Sequence, residues 1–90
     1  MSLNEYKYEV ENFLKQVDNL GKNTDQKIYW LDKEFSLLKT AIKNSDKDSI
    51  SHQIYDMLYL LLEISADYNC DLDKEWQSGN IKKEKYLKGN

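Results

Sequence analysis

The chain contains no proline and only three glycines in ninety residues. Proline is the strongest helix breaker and glycine the next, so a chain nearly free of both is biased toward long helices with short connections. The apolar residues follow that bias. Leu3, Tyr6, Val10, Phe13, Leu14 and Val17 recur at helical spacing and predict a first helix over about 3–19. Gly21 suits the left-handed position after it, and Thr24 suits the cap of the next helix. A second helix is expected from about 25 to 43, with Ile28, Leu31, Phe35, Leu38 and Ile42 as its stripe. After KNSDKDS, with Asp46 or Asp48 as cap, a third helix covers about 49–68. Its inner face is read as Ile50, Ile54, Met57, Leu58, Leu61 and Ile64. Leu60 and Leu62 widen that face, so this helix is expected to be the most buried. Asp71 is placed as the cap of a fourth helix through roughly 86, either continuous or split near Gly79, which disfavours a helix interior. The expectation is one all-α domain over 1–90, a four-helix bundle.

A domain of this length buries only about 60–65% of the surface its unfolded chain exposes, so its core is thin and oligomerisation is a natural supplement. Net charge is −3, and all thirteen basic residues are lysines. That balance argues against a nucleic-acid partner, and without arginine no planar fork exists for bidentate phosphate contacts. The single cysteine, Cys70, cannot form an internal disulfide, fits a reducing compartment, and is read as inert. No apolar run approaches the ~18 residues of a membrane span, and the N-terminus carries no signal-peptide pattern. The expected location is cytoplasmic, away from membranes.

Glu34 is the most informative residue. It falls on the same helical side as Trp30, Leu37 and Ala41, and a carboxylate among apolar neighbours is costly unless paired. One reading makes it a surface carboxylate paired with Lys33 or Lys27. The other makes it a metal ligand in a groove between helices, which would need further carboxylates because Mg²⁺ prefers oxygen donors. Asp56, Glu63 and Asp67 form an acidic strip on the third helix, by default a solvated face. If the second and third helices pack antiparallel, Glu34 and Asp56 approach each other, and then a cation or a proton must be shared. His52, the only histidine, reads as a surface residue, and no second histidine or cysteine cluster supports a zinc site. No phosphate-cradling glycine loop or nucleophile elbow is present.

The segments WLDKEFSLLKTAI and DSISHQIYDMLYLLLEISADYNCDLDKEW resemble the MazG-like, all-α nucleoside triphosphate pyrophosphohydrolases. The family pattern runs as WLxEExGELxxAI, then EExxDVLxxLLxLAxxxGIDL, then a tail bearing lysine and tyrosine. The likeness covers about 30–86. It holds across the hydrophobic skeleton, at Asp71–Leu72 and at Lys85–Tyr86. It implies hydrolysis of a nucleoside triphosphate to monophosphate and pyrophosphate with Mg²⁺ or Mn²⁺, in a homodimer or homotetramer. The metal motif is reduced. The family's paired glutamates fall on Lys33 and Glu34, the next glutamate on Leu37, the glutamate of the second motif on Gln53, and its aspartate on Asp56. The resemblance therefore assigns catalysis to Glu34 and Asp56, metal binding to Glu34, Asp56 and Gln53, and substrate contacts to Trp30, Lys83 and Tyr86. It implies a divergent enzyme with weak or lost activity. The alternatives are a catalytically silent homologue that binds a nucleotide or a protein, and a helical interaction module with only a generic bundle in common.

Overall fold

A computed structural model describes residues 1–89 and contains four helices and, among those residues, no strand: α1 (Leu3–Gln16), α2 (Thr24–Lys43), α3 (Lys47–Asp67) and α4 (Leu72–Leu87). Helix α3 is the centre. It forms a hairpin with α2 through the three-residue connection 44–46 and packs on another side against α1, while α4 meets the rest chiefly at α1. Among the described residues, no helix is long and apolar enough to cross a membrane.

The helix starts follow from local chemistry. Ser2 and Glu5 form a reciprocal capping box on α1, which satisfies two otherwise orphaned backbone donors. Asp46 caps α3 by accepting from Ser49 N–H at 3.2 Å and Ser49 Oγ at 2.7 Å. The Ser49 hydroxyl is also the main reason the Asp46 carboxyl is held below its ordinary pKa. Asp71 caps α4 through Lys74 N–H, and the Asn4 side chain, its strongest partner, lowers its pKa. Asn4 Oδ1 in turn accepts from Leu72 N–H at 2.9 Å, and Asp73 accepts from Leu3 N–H at 3.0 Å. The N-termini of α1 and α4 therefore cap one another. Helix α4 runs unbroken through Gly79.

The first connection departs from the sequence expectation. Helix α1 stops at Gln16, three residues early, because Asp18 takes the left-handed conformation expected of Gly21. Gly21 is left-handed too, with open space where a Cβ would stand, so conformation alone favours glycine there. Thr24 is not a cap: Asn23 holds that position, also left-handed and without a side-chain bond. The Thr24 hydroxyl is committed elsewhere, to Asp67.

The core is small. Val10 and Leu14 of α1 meet Leu62 and Ala66 of α3, with Leu20, Tyr59 and Leu72 packed around them. Lys7, buried, donates to the Cys70 carbonyl and so places a cation at the C-terminal end of α3, where the helix dipole favours one. The stripes expected to be innermost are not covered. Ile54 and Leu61 of α3 are 52% and 50% exposed, and Ile28, Phe35 and Ile42 of α2 are similarly open.

Candidate functional site: the Glu34–Asp56 groove

The α2–α3 seam is built on two rows with seven-residue spacing, which keeps residues on one side of a helix. Lys27, Glu34 and Ala41 of α2 run antiparallel to Asp67, Leu60 and Gln53 of α3. At one end, Lys27 and Asp67 form a buried ion pair with side chains 5% and 1% exposed. Lys27 Nζ donates to both Asp67 oxygens, at 2.7 and 2.9 Å, and to the Asn19 carbonyl at 3.0 Å. Asp67 also accepts from Gly21 N–H at 2.7 Å and Thr24 Oγ1 at 3.1 Å. Asp67 is thus a buried clamp on the α1–α2 connection, not part of a solvated acidic face. Glu63, one turn away, is only partly covered. Burial pushes its carboxyl upward, Lys27 opposes that, and Asp67 reinforces it.

In the middle of the seam Glu34 lies level with Leu60, which offers it nothing. Lys27 is already committed to Asp67. Lys33 points instead over the rings of Tyr29 and Trp30, 4.8 and 5.4 Å from their centroids. Neither lysine expected to neutralise Glu34 does so. Its Oε2 is buried and has no hydrogen-bond partner. Glu34 and Asp56 are equally distant in sequence from Ser45 at the hairpin turn, and the antiparallel packing brings both into one open groove. Its walls are Trp30, Glu34, Tyr55, Asp56, Tyr59 and Leu60, and its volume is about 340 Å³. His52, itself exposed, lies with Nε2 3.2 Å from Asp56 Oδ2, one helical turn away.

Gln53 does not line this groove. It sits in the next depression along the seam with Leu37 and Ala41, its Oε1 likewise buried and unpartnered. Lys83 and Tyr86 lie in the last turns of α4, both exposed and outside the groove lining. Of the candidates, then, Glu34, Asp56 and Trp30 share a site, Gln53 is adjacent, and the α4 pair stands apart. Tyr55 and Tyr59 are groove residues that sequence reasoning did not single out, and Leu60, expected on the inner face of α3, lines the groove as well. The seven-residue row through Leu60 was the available signal. Among the described residues, no group of three or more His, Cys, Asp or Glu could hold a metal ion. No protein-family model matches the chain, and no curated protein or solved structure matches it either.

Proposed function

We propose that the chain is a divergent MazG-like protein that takes a magnesium-bound nucleoside triphosphate into the Glu34–Asp56 groove and hydrolyses it slowly to monophosphate and pyrophosphate. The observation that carries this reading is the unpartnered, buried Oε2 of Glu34 in a groove it shares with Asp56. A chain selected for stability alone would fill that seam position with an apolar side chain or pair it with a cation. Two carboxylates do not make a complete protein cage. They do fit Mg²⁺, which is commonly held by one or two carboxylates together with substrate phosphates. Glu34 and Asp56 would hold the ion, with the neutral oxygen of Gln53 nearby, and the ion when bound supplies phosphate neutralisation and an acidified water. The Trp30 ring, on the groove wall, offers a stacking face for a base, and Lys33 beside it offers a cation for phosphate oxygens. His52 steadies Asp56. The protein acts as a homodimer or homotetramer.

A second reading, a catalytically silent nucleotide-binding or protein-interaction homologue, is favoured by one observation. Leu37 occupies the place of a third carboxylate and is half exposed, beside a groove with only two acids. Pyrophosphate release from a panel of nucleoside triphosphates, with Mg²⁺ and with Mn²⁺, separates the two. Turnover lost in both Glu34→Gln and Asp56→Asn supports the enzyme. Nucleotide-dependent quenching of Trp30 emission in a Trp76→Phe background, without turnover, supports the silent homologue. Neither binding nor turnover refutes both nucleotide readings.

A further inference from the structure

A second cavity lies between α1 and α3, and its chemistry is unlike that of the groove already described. Tyr6, Glu9 and Val10 of α1 line it together with Tyr55, Tyr59 and Leu62 of α3. On each helix these positions recur three or four residues apart, which keeps them on one side. Val10 and Leu62 belong to the core, 3% and 8% exposed, and give the cavity an apolar floor. Its volume is about 460 Å³, within the roughly 300–1,000 Å³ of small-molecule sites. Its walls carry three tyrosines. The rings of Tyr55 and Tyr59 stand with centroids 6.0 Å apart and tilted by 46°, and Phe13 braces Tyr59 edge-on at 6.2 Å. Among the described residues Glu9 is the one charged side chain in the lining. Among the same residues it has no ion-pair partner. Lys7, close by on α1, is committed to the Cys70 carbonyl.

We propose that the α1–α3 cavity binds a small organic cation, an ammonium group on an apolar body, with the charge held between the tyrosine rings and Glu9. The argument is complementarity. The electron-rich faces of tyrosine attract a cation. The Glu9 carboxylate supplies the counter-charge, and the Val10–Leu62 floor takes the apolar body out of water. A neutral ligand leaves Glu9 unanswered, and an anion is repelled by it. The local field has the matching sign: burial first, then Glu63, Tyr55 and Glu9 push the Tyr59 hydroxyl pKa upward, and no cation opposes them. A metal ion does not suit the cavity, because one carboxylate among rings and aliphatic side chains cannot replace a hydration shell of oxygens. Tyr55 and Tyr59 also line the Glu34–Asp56 groove and so form a common wall, but neither acid of that groove lines this cavity. The inference does not depend on the nucleotide reading.

The test titrates phenethylammonium into the isotope-labelled full chain and follows backbone amide shifts. Phenethyl alcohol, of nearly the same shape without the charge, and the anion phenylacetate are titrated in parallel. The cation should give saturable shifts at millimolar concentration, centred on Tyr6, Glu9 and Leu58, and the other two probes should bind at least about threefold more weakly. Glu9→Gln should weaken the cation about threefold and leave phenethyl alcohol unchanged. Tyr6→Leu keeps the wall apolar at a half-exposed residue outside the Glu34–Asp56 groove. It should weaken the cation about threefold as well, and it guards against a folding defect in the first variant. Glu34→Gln/Asp56→Asn should leave cation binding in place. Far-UV circular dichroism checks that each variant keeps its helices. The proposal is overturned if the cation shows no saturable shifts, or if either other probe binds as tightly. It is also overturned if Glu9→Gln and Tyr6→Leu both leave the cation's affinity unchanged, or if Glu34→Gln/Asp56→Asn abolishes it.

Discussion

Replacing Lys27 by methionine isolates what the buried clamp contributes. The substitution keeps an unbranched apolar stem, one atom shorter, and leaves the Asp67 carboxylate, 1% exposed, without its cation. Breaking a buried ion pair from one side costs about 3–5 kcal/mol, because the remaining charge is uncompensated. Gly21 N–H and the Thr24 hydroxyl still donate to Asp67, so the lower end applies, about 3 kcal/mol. That is about a 150-fold shift in the folding equilibrium. It is a large share of the roughly 5–13 kcal/mol available to ninety residues. Urea unfolding followed by circular dichroism reads it as a lower midpoint with unchanged slope. Thermal unfolding reads it as a fall of about 12–24 °C. Protein concentration must be held fixed, since any binding to the folded state adds to apparent stability. The double variant Lys27→Met/Asp67→Leu should recover most of the loss, because apolar replacement of a whole buried pair is often neutral or better. A loss below about 1 kcal/mol for Lys27→Met would place the pair in the class of surface ion pairs and refute the reasoning.

Glu34→Met should stabilise the fold by about 1 kcal/mol, since it removes a buried acceptor that has no partner, and the same unfolding assay would register it. A destabilised Glu34→Met would mean that the carboxylate has a structural partner. Burial raises the Glu63 carboxyl above its ordinary 4.5, so the folded state holds that proton more tightly than the unfolded one. Stability relative to Glu63→Gln should be greatest below that value and should decline as pH rises through the folded-state pKa; a flat difference curve contradicts this. Leu37→Glu/Gln53→Glu should tighten Mg²⁺ binding by about tenfold or more in calorimetry, because ligand charge count sets affinity at such sites. Unchanged affinity would place any ion elsewhere.

The parts of the fold set by neighbouring residues were legible in the sequence. Asp71 caps α4 as expected, and of the two candidates for α3 it is Asp46 that does so, because an aspartate three residues before a free N–H needs only local geometry. The end of α1 was not legible, because Asp18, rather than a glycine, takes the left-handed conformation that stops the helix. The stripes through Ile54, Leu61, Phe35 and Ile42 were read as core. Periodicity identifies an apolar face; it does not say whether the chain covers it, and here these residues stay about half exposed.

Register explains both what was missed and what was found at the seam. Lys27–Asp67 was invisible residue by residue, since each alone looks like an ordinary surface charge. Once α2 and α3 are antiparallel, the rows 27–34–41 and 67–60–53 slide into place and each charge has a fixed opposite. Lys27 meets a carboxylate and is neutralised. Glu34, one heptad on, meets leucine and is not. The same seam therefore holds one acid that stabilises the fold and one that burdens it, within a few turns of each other. The contrast with Asp67 is what the proposed nucleotide reading draws on: Glu34 is the seam carboxylate left with an unpartnered oxygen, and it shares its groove with Asp56.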